Sequence, residues 1–341
     1  MPRLRTILLM SAIWAAQVAS AVAPTDPAPG TGAAANELVL PRQELDDTEL
    51  FASPTRLDHI GRVVAPVMIN GKGPFRFIVD TGATTSTVSP GLAKLLGLEP
   101  TAESGIEVNG ITGTAQVPGV SVTLLQAGDL VVENSSMPVV WAPLMAGADG
   151  ILGAAGLTAQ RLTVDFQHNR VVISHSGRSG TPFGFMRVPA KRIAGGLMTV
   201  DVRIDGVRVC AVIDTGAERS LGNPALLDAL NAKQRREAVH HVTAVYGATT
   251  EVVAGNAQVA PTMVIDALRI ADVTLVYGDF HIFKVWDMQD KPAMIIGMDI
   301  LGTVDALTID FQRQEVYLSG KRLMAAPNWG RSIGIASPTA R

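Results

Sequence analysis

The sequence predicts an all-β chain built as two copies of one lobe, and three observations carry that prediction. The tetrapeptide Asp-Thr-Gly-Ala occurs twice, at residues 80–83 and 214–217, each time closing an apolar run. Upstream, "VVAPVMINGKGPFRFIVDTGA" (63–83) aligns with "LMTVDVRIDGVRVCAVIDTGA" (197–217): alternating apolar positions, an Asn-Gly or Asp-Gly pair, a second apolar run, then the motif. Downstream, "ADGILGAAGLTAQRLTVDFQHNRVVIS" (148–174) aligns with "AMIIGMDILGTVDALTIDFQRQEVYLS" (293–319). The apolar-apolar-Gly triplets in these stretches place Gly153 and Gly297 73 and 83 residues after the motif aspartates, and Asp165-Phe166 and Asp310-Phe311 follow 12 and 13 residues later. Agreement over so long a stretch means duplication.

Taken in order, residues 1–21 read as an export signal: Arg3 and Arg5, an apolar stretch from about Ile7 to Ala16, then Ala19-Ser20-Ala21 as a small-x-small cleavage site. An uncleaved anchor is the alternative, although the apolar run is short for a bilayer span. A periplasmic or secreted protein with no stable membrane span after cleavage is expected. Residues 22–56 open on the flexible "PTDPAPGTGAAAN" and continue with Glu37, Glu44, Asp46, Asp47 and Glu49, either an edge strand or a cleavable lead-in. Lobe 1 is expected over 57–179 and lobe 2 over 180–322, joined by the Gly-, Ser- and Pro-containing "HSGRSGTPFG" (175–184), with a tail at 323–341. In each lobe Asn70-Gly71 or Asp205-Gly206 suits a type I′ hairpin turn, which needs positive φ twice. Ser89-Pro90 and Asn223-Pro224 are N-cap and first-turn signals, predicting one or two short helices per lobe.

Composition narrows the function. The 341 residues are 47% hydrophobic, ample for two cores, and carry a net charge of −3 without a basic block. Nucleic acid is therefore an unsuitable partner. Cys210, the only cysteine, allows no intrachain disulfide and reads as a small core residue. The histidines at 59, 168, 175, 240, 241 and 281 have no chelating spacing, and His240 and His241 would point to opposite faces of a strand. No metal or other cofactor is expected. There is no GxSxG elbow and no Walker loop; "GADGILG" fits packing better than a nucleotide site, with Asp149 in a local turn. Trp141 and Trp286 suit core or cleft wall equally and are assigned to no site.

An aspartate that ends a buried strand and enters a Thr-Gly turn presents its carboxyl at a surface. If the halves pack about a pseudo-two-fold axis, Asp80 and Asp214 come face to face. Like charges so close cannot both ionise, so the pair keeps one proton over a broad pH range. One carboxylate can then take a proton from water while the other donates to a carbonyl oxygen.

On these residues the two halves resemble the retropepsin-like (acid-protease) β-barrel domains of aspartic peptidases, fused in one chain as in the pepsin-like enzymes. The resemblance implies an aspartic endopeptidase acting on peptide or protein substrates as a monomer that is its own pseudo-dimer. It makes Asp80 and Asp214 the dyad, has Thr81 and Thr215 hydrogen-bond across the interface, and assigns the tight turns to Gly82 and Gly216. It also packs Ile151, Leu152 and Gly153, and Ile295, Ile296 and Gly297, behind the catalytic loops. Flaps are implied at "VNGITGTA" (108–115), with Asn109, Gly110, Ile111 and Thr112, and at "VTAVYGATT" (242–250), with Tyr246 and Gly247. Pepsin-like enzymes carry their flap tyrosine in the first half, so the place of Tyr246 departs from the pattern. Ala83 and Ala217 stand where those enzymes have a hydroxyl donor to the carboxylate, which implies activity at less acidic pH. The alternative function on the same fold is a non-catalytic peptide- or envelope-binding protein.

Overall fold

The structure is a computed structural model that describes residues 7–8, 53–54, 62–101, 105–140, 145, 147–177, 181–232, 241–249 and 251–320. Most of the signal, the lead-in and the tail, with His59, Trp141 and His240, thus lies outside the described residues. In lobe 1, Val64–Ile69 and Lys72–Asp80 form the expected antiparallel hairpin. Its turn residues Asn70 and Gly71 have φ of 50° and 74°. Lobe 2 repeats this with Met198–Ile204 and Val207–Ile213, turning through Asp205 and Gly206 at 48° and 74°. A short polar residue followed by glycine populates the left-handed region at little cost, so the same turn arises twice from local sequence.

Each hairpin leads into the same arrangement. In lobe 1 the strand order is Thr87–Val88, Gly150–Gly153, Lys72–Asp80, Val64–Ile69, Gly119–Ala127, Leu130–Pro138. In lobe 2 the order Leu221–Gly222, Ala293–Ile296, Val207–Ile213, Met198–Ile204 reproduces its first four strands. The triplet strand runs parallel to the motif strand in both, with Leu152 opposite Val79 and Ile295 opposite Val212. Valine, isoleucine and leucine line both faces of these central strands, as burial on two sides requires.

The lobes share one sheet beneath the seam. Gln160–Asp165 of lobe 1 pairs antiparallel with Ala306–Asp310 of lobe 2, placing Thr163 opposite Thr308 with their hydroxyl oxygens 3.0 Å apart. Phe185–Arg192 crosses from the inner hairpin of lobe 2 to its last strand, Glu315–Ser319. Fully buried Asp310 fastens the joint: its carboxylate accepts from Arg161 Nε and Nη2 at 3.1 and 2.9 Å and from Ser176 Oγ at 2.8 Å. From the lead-in, Ser53–Pro54 adds as an edge strand against Arg170 and Val171, and Ile7–Leu8 pairs parallel to Val108 and Asn109.

Both N-cap signals form helices. Ser89 Oγ accepts from Leu92 N at 3.0 Å to start α1 (Pro90–Leu96), which ends on Gly97 at φ 62°. Asn223 Oδ1 accepts from Leu226 N at 2.9 Å to start α2 (Pro224–Asn231). Lobe 2 adds α3 (His281–Val285) and α4 (Met298–Leu301), so its described residues carry three short helices against the one or two expected. The stretch corresponding to α4, Ala154–Leu157, contains Gly156 and stays a 3-10 turn. Cys210 differs from expectation too: it is half-buried on the outer side of its hairpin, opposite Asp201, and desolvation raises its thiol pKa. No helix among the described residues is long and apolar enough to cross a membrane.

Candidate active site

Each motif turns back on its own aspartate. Asp80 Oδ1 accepts from the backbone N–H groups of Gly82 and Ala83 at 2.9 and 2.8 Å, and Asp214 Oδ1 accepts from Gly216 and Ala217 at 2.8 and 3.1 Å. These bonds hold each carboxyl in one orientation. Both aspartates are fully buried, and neither Oδ2 receives a hydrogen bond from a protein donor.

The threonines lock the loops to each other. Thr81 Oγ1 donates to Ile213 O at 2.7 Å and accepts from Thr215 N at 3.1 Å; Thr215 Oγ1 donates to Val79 O at 2.6 Å and accepts from Thr81 N at 3.2 Å. Four buried bonds thus cross the seam in reciprocal pairs, as a two-fold relation demands. The glycines permit the close approach that follows. A Cβ on Gly82 would lie 2.4 Å from the Asp214 carboxyl, and one on Gly216 would lie 2.2 Å from the Asp80 carboxyl. Each glycine is therefore packed against the opposite aspartate, and any side chain there would drive the pair apart.

Each carboxyl lies against the opposite loop's glycine, which brings the two groups close enough to act on each other's titration. Two ionised carboxylates are acceptors only, so a bond between them requires a proton. Burial raises the pKa of Asp80 well above the usual carboxylate range, and the charge of Asp214 raises it further. Burial also pushes Asp214 up, to about 6, against the lowering effects of Asp80, the Gly216 and Ala217 N–H groups and Arg62. Both shifts run upward, so the pair holds one proton at pH values where isolated carboxyls would both be ionised.

Arg62 did not stand out in the sequence. Register would have indicated it: counting on from Val64 opposite Ile78 puts Arg62 opposite Asp80, on the same face of the hairpin. The equivalent count in lobe 2, from Thr199 opposite Val212, puts Leu197 opposite Asp214. Both side chains are fully buried, so one half of a near-symmetric site carries a charge that the other lacks.

Behind the loops the triplets close the structure. Ala154 N donates to Ala83 O at 2.7 Å and Met298 N to Ala217 O at 2.8 Å. A Cβ on Gly153 would lie 2.6 Å from Thr85 backbone, and one on Gly297 2.8 Å from Arg219 backbone. Ser86 and Ser220, six residues beyond the aspartates, complete the support: Gly153 N donates to Ser86 Oγ at 3.1 Å and Gly297 N to Ser220 Oγ at 2.9 Å. Sequence reasoning missed these serines, though identical residues at one offset in both copies were the available signal.

Both suggested flaps are hairpins. Ile106–Asn109 pairs with Thr114–Val117, and His241–Tyr246 pairs with Val252–Val259. Their tips meet, Thr112 Oγ1 lying 2.8 Å from Thr249 Oγ1 in a buried contact. Ile111 is buried in a lobe 2 cluster with Ala217, Leu221, Phe280 and Phe283, and Ala248 packs on the lobe 1 cluster that contains Ala83. Each tip thus crosses to the opposite lobe. Tyr246 is the last strand residue before its tip and Gly247 lies against Thr112, where a Cβ would be 2.7 Å from the hydroxyl. Asp149, expected in a local turn, instead ties its segment to the distant motif strand: its carboxylate accepts from Arg76 N at 2.8 Å. Trp286 packs edge-on against Phe283 with centroids 6.2 Å apart.

No curated protein sequence matches the chain. Among solved structures it is similar to an aspartic proteinase from Irpex lacteus, with 14% identity, a TM-score of 0.49, and coverage of 79% of this chain and 96% of that one. The family model described as aspartyl protease matches twice, at residues 65–155 and 200–300. Those two segments span more than half of the sequence and coincide with the two lobes, each containing one Asp-Thr-Gly-Ala turn and its triplet, so the chain belongs to the aspartyl protease family.

Proposed function

We propose that the protein is an aspartic endopeptidase in which a water held between Asp80 and Asp214 attacks the peptide carbonyl. The observation that carries this reading is the pair itself: two fully buried carboxyl groups on reciprocal loops, each packed against the other loop's glycine. Ionised Asp214 takes a proton from the water, whose oxygen bonds to the carbonyl carbon. Protonated Asp80 donates its proton to the carbonyl oxygen. In collapse of the tetrahedral intermediate, Asp214 returns its proton to the leaving nitrogen, the carbon–nitrogen bond breaks, and Asp80 recovers the hydroxyl proton. The general base must be ionised and the acid protonated, so activity rises as pH passes through about 6 and declines once Asp80 ionises. With alanine at 83 and 217, no hydroxyl at those positions adds to the backbone N–H groups that stabilise the carboxylates, which supports the less acidic working range.

The substrate in this reading is an extended peptide laid beneath the two flaps, and the internal pair of lobes makes a monomer sufficient. Export to the periplasm or the medium is proposed from residues 1–21. The test is mass-spectrometric profiling of cleavage in a diverse peptide library with the parent, Asp80→Asn and Asp214→Asn proteins. Cleavage by the parent and its loss in both variants supports the proposal. Full activity in either variant, or peptide binding without turnover in the parent, overturns it.

A further inference from the structure

The two flaps are held differently. In lobe 2 the flap strand Val252–Val259 continues into the main sheet by pairing with Thr274–Tyr277. In lobe 1 the flap forms a separate sheet whose only further strand among the described residues is Ile7–Leu8. Its base is held by Val117, which packs on the same lobe 1 cluster that Val108 enters. A lone two-stranded hairpin is marginal in water, so its far end needs anchoring by side chains. Besides the Thr112–Thr249 contact at the tip, two further anchors come from lobe 2.

The first is Ile111, described above. The second is polar and lies outside the dyad: His281, the first residue of α3, places Nε2 2.9 Å from Asn109 Oδ1 and 3.0 Å from Thr114 Oγ1. Asn109 and Thr114 are the last cross-strand pair before the tip, so one imidazole grips both strands where the turn begins. The hydrogens can be assigned. Asn109 Nδ2 donates to Glu107 Oε1 at 3.2 Å, which orients the amide, and Thr114 Oγ1 donates to Asn109 Oδ1 at 2.7 Å. Asn109 Oδ1 is an acceptor only, so His281 must carry its hydrogen on Nε2 and donate. Asn109 is 5% exposed, and a bond lost there leaves its oxygen with one donor in place of two.

We infer that His281 is a positioning residue for the proposed peptidase, latching the lobe 1 flap closed from the opposite lobe through its Nε2–H. Its catalytic meaning rests on the dyad reading; its structural content does not. The latch clamps an extended peptide after entry and touches no reacting atom. The experiment compares His281→Leu, His281→Gln and Thr114→Val, full chain and without substrate, by hydrogen exchange of peptides covering 106–117 and 241–259. A hydrogen bond of this kind corresponds to roughly a fivefold change. Exchange at 106–117 should rise roughly three- to tenfold in His281→Leu and Thr114→Val, with 241–259 unchanged. Gln, whose Nε2 also donates, should restore most of the protection. Unchanged flap exchange in His281→Leu, or a Gln variant no better protected than Leu, overturns the latch. Peptide cleavage supplies the second readout: KM should rise by a similar factor in His281→Leu while kcat changes less than about twofold. Repeating the exchange in Asp80→Asn separates the two ideas, because a flap that responds identically there keeps the latch even if no turnover is found in the parent.

Discussion

Lobes 1 and 2 match where they meet and differ where they close. The aspartate turns, threonine pair, serine supports and triplets superimpose in kind, residue for residue, across the seam. The flaps and the surroundings of the carboxyls do not. Lobe 1 contributes buried Arg62 and a flap tip with Ile111, whereas lobe 2 contributes Leu197 and a tip with Ala248. A shared proton needs two carboxyls in one geometry, and reciprocal hydrogen bonds secure that only if both partners keep the same side chains. The proposed chemistry on a polar peptide bond has no such symmetry, so the surroundings of the carboxyls and the flap tips are free to diverge.

The largest test of that division strikes the symmetric part. Asp80→Asn and Asp214→Asn should each lower kcat by about 10²–10⁴-fold, measured on any peptide the parent cleaves. The same substitution has a stability signature. Both carboxyl pKa values lie above the unfolded value, so the dyad's contribution to stability is complete below about 4 and is lost as pH rises through 6 and beyond. Asp80→Asn removes the mutual repulsion, and its melting temperature should gain on the parent's between pH 4 and pH 8. A parent that gains on Asp80→Asn over that interval contradicts the shared proton.

Next come the threonines. Thr81→Val and Thr215→Val each strip a buried N–H and a buried carbonyl of their partner, and each should cost about 2–4 kcal/mol in denaturant unfolding. Near-equal costs are expected from the reciprocal geometry, and a threefold disparity would show that the seam is not symmetric in energy. Ser86→Ala and Ser220→Ala sharpen the comparison at smaller scale. Ser220 Oγ also donates to Asp299 at 2.6 Å, a largely buried carboxyl whose pKa burial raises and this hydroxyl lowers. Its loss should therefore exceed that of Ser86 by about 1–2 kcal/mol. The smallest effect is electrostatic. Arg62→Leu, which gives lobe 1 the side chain lobe 2 already has, should move the acid limb of the kcat profile to higher pH, because Arg62 lowers the Asp214 pKa. An unmoved limb would remove Arg62 from the account.

Much of this site is legible in sequence because its parts are local or duplicated. Asn70-Gly71 and Asp205-Gly206 specify their turns within two residues, and Ser89 and Asn223 specify helix starts within four. The paired motifs announce the dyad because duplication places both copies in one register. Ser86 and Ser220 could have been read by the same comparison. Arg62 and the grouping of His281 with Asn109 and Thr114 could not be read in that way, since neither has a counterpart in the other half, and the latter joins residues 172 and 167 positions apart.

The amino-acid order alone therefore determined a duplicated β protein with one carboxyl per half, since alternation, turn residues and repetition act over a few neighbours at a time. Only the tertiary structure decided that burial raises both carboxyl pKa values, which side chains ground the flap tips, and which strands join the lobes. Those outcomes depend on desolvation and on contacts between distant segments, and both come into being when the chain closes on itself.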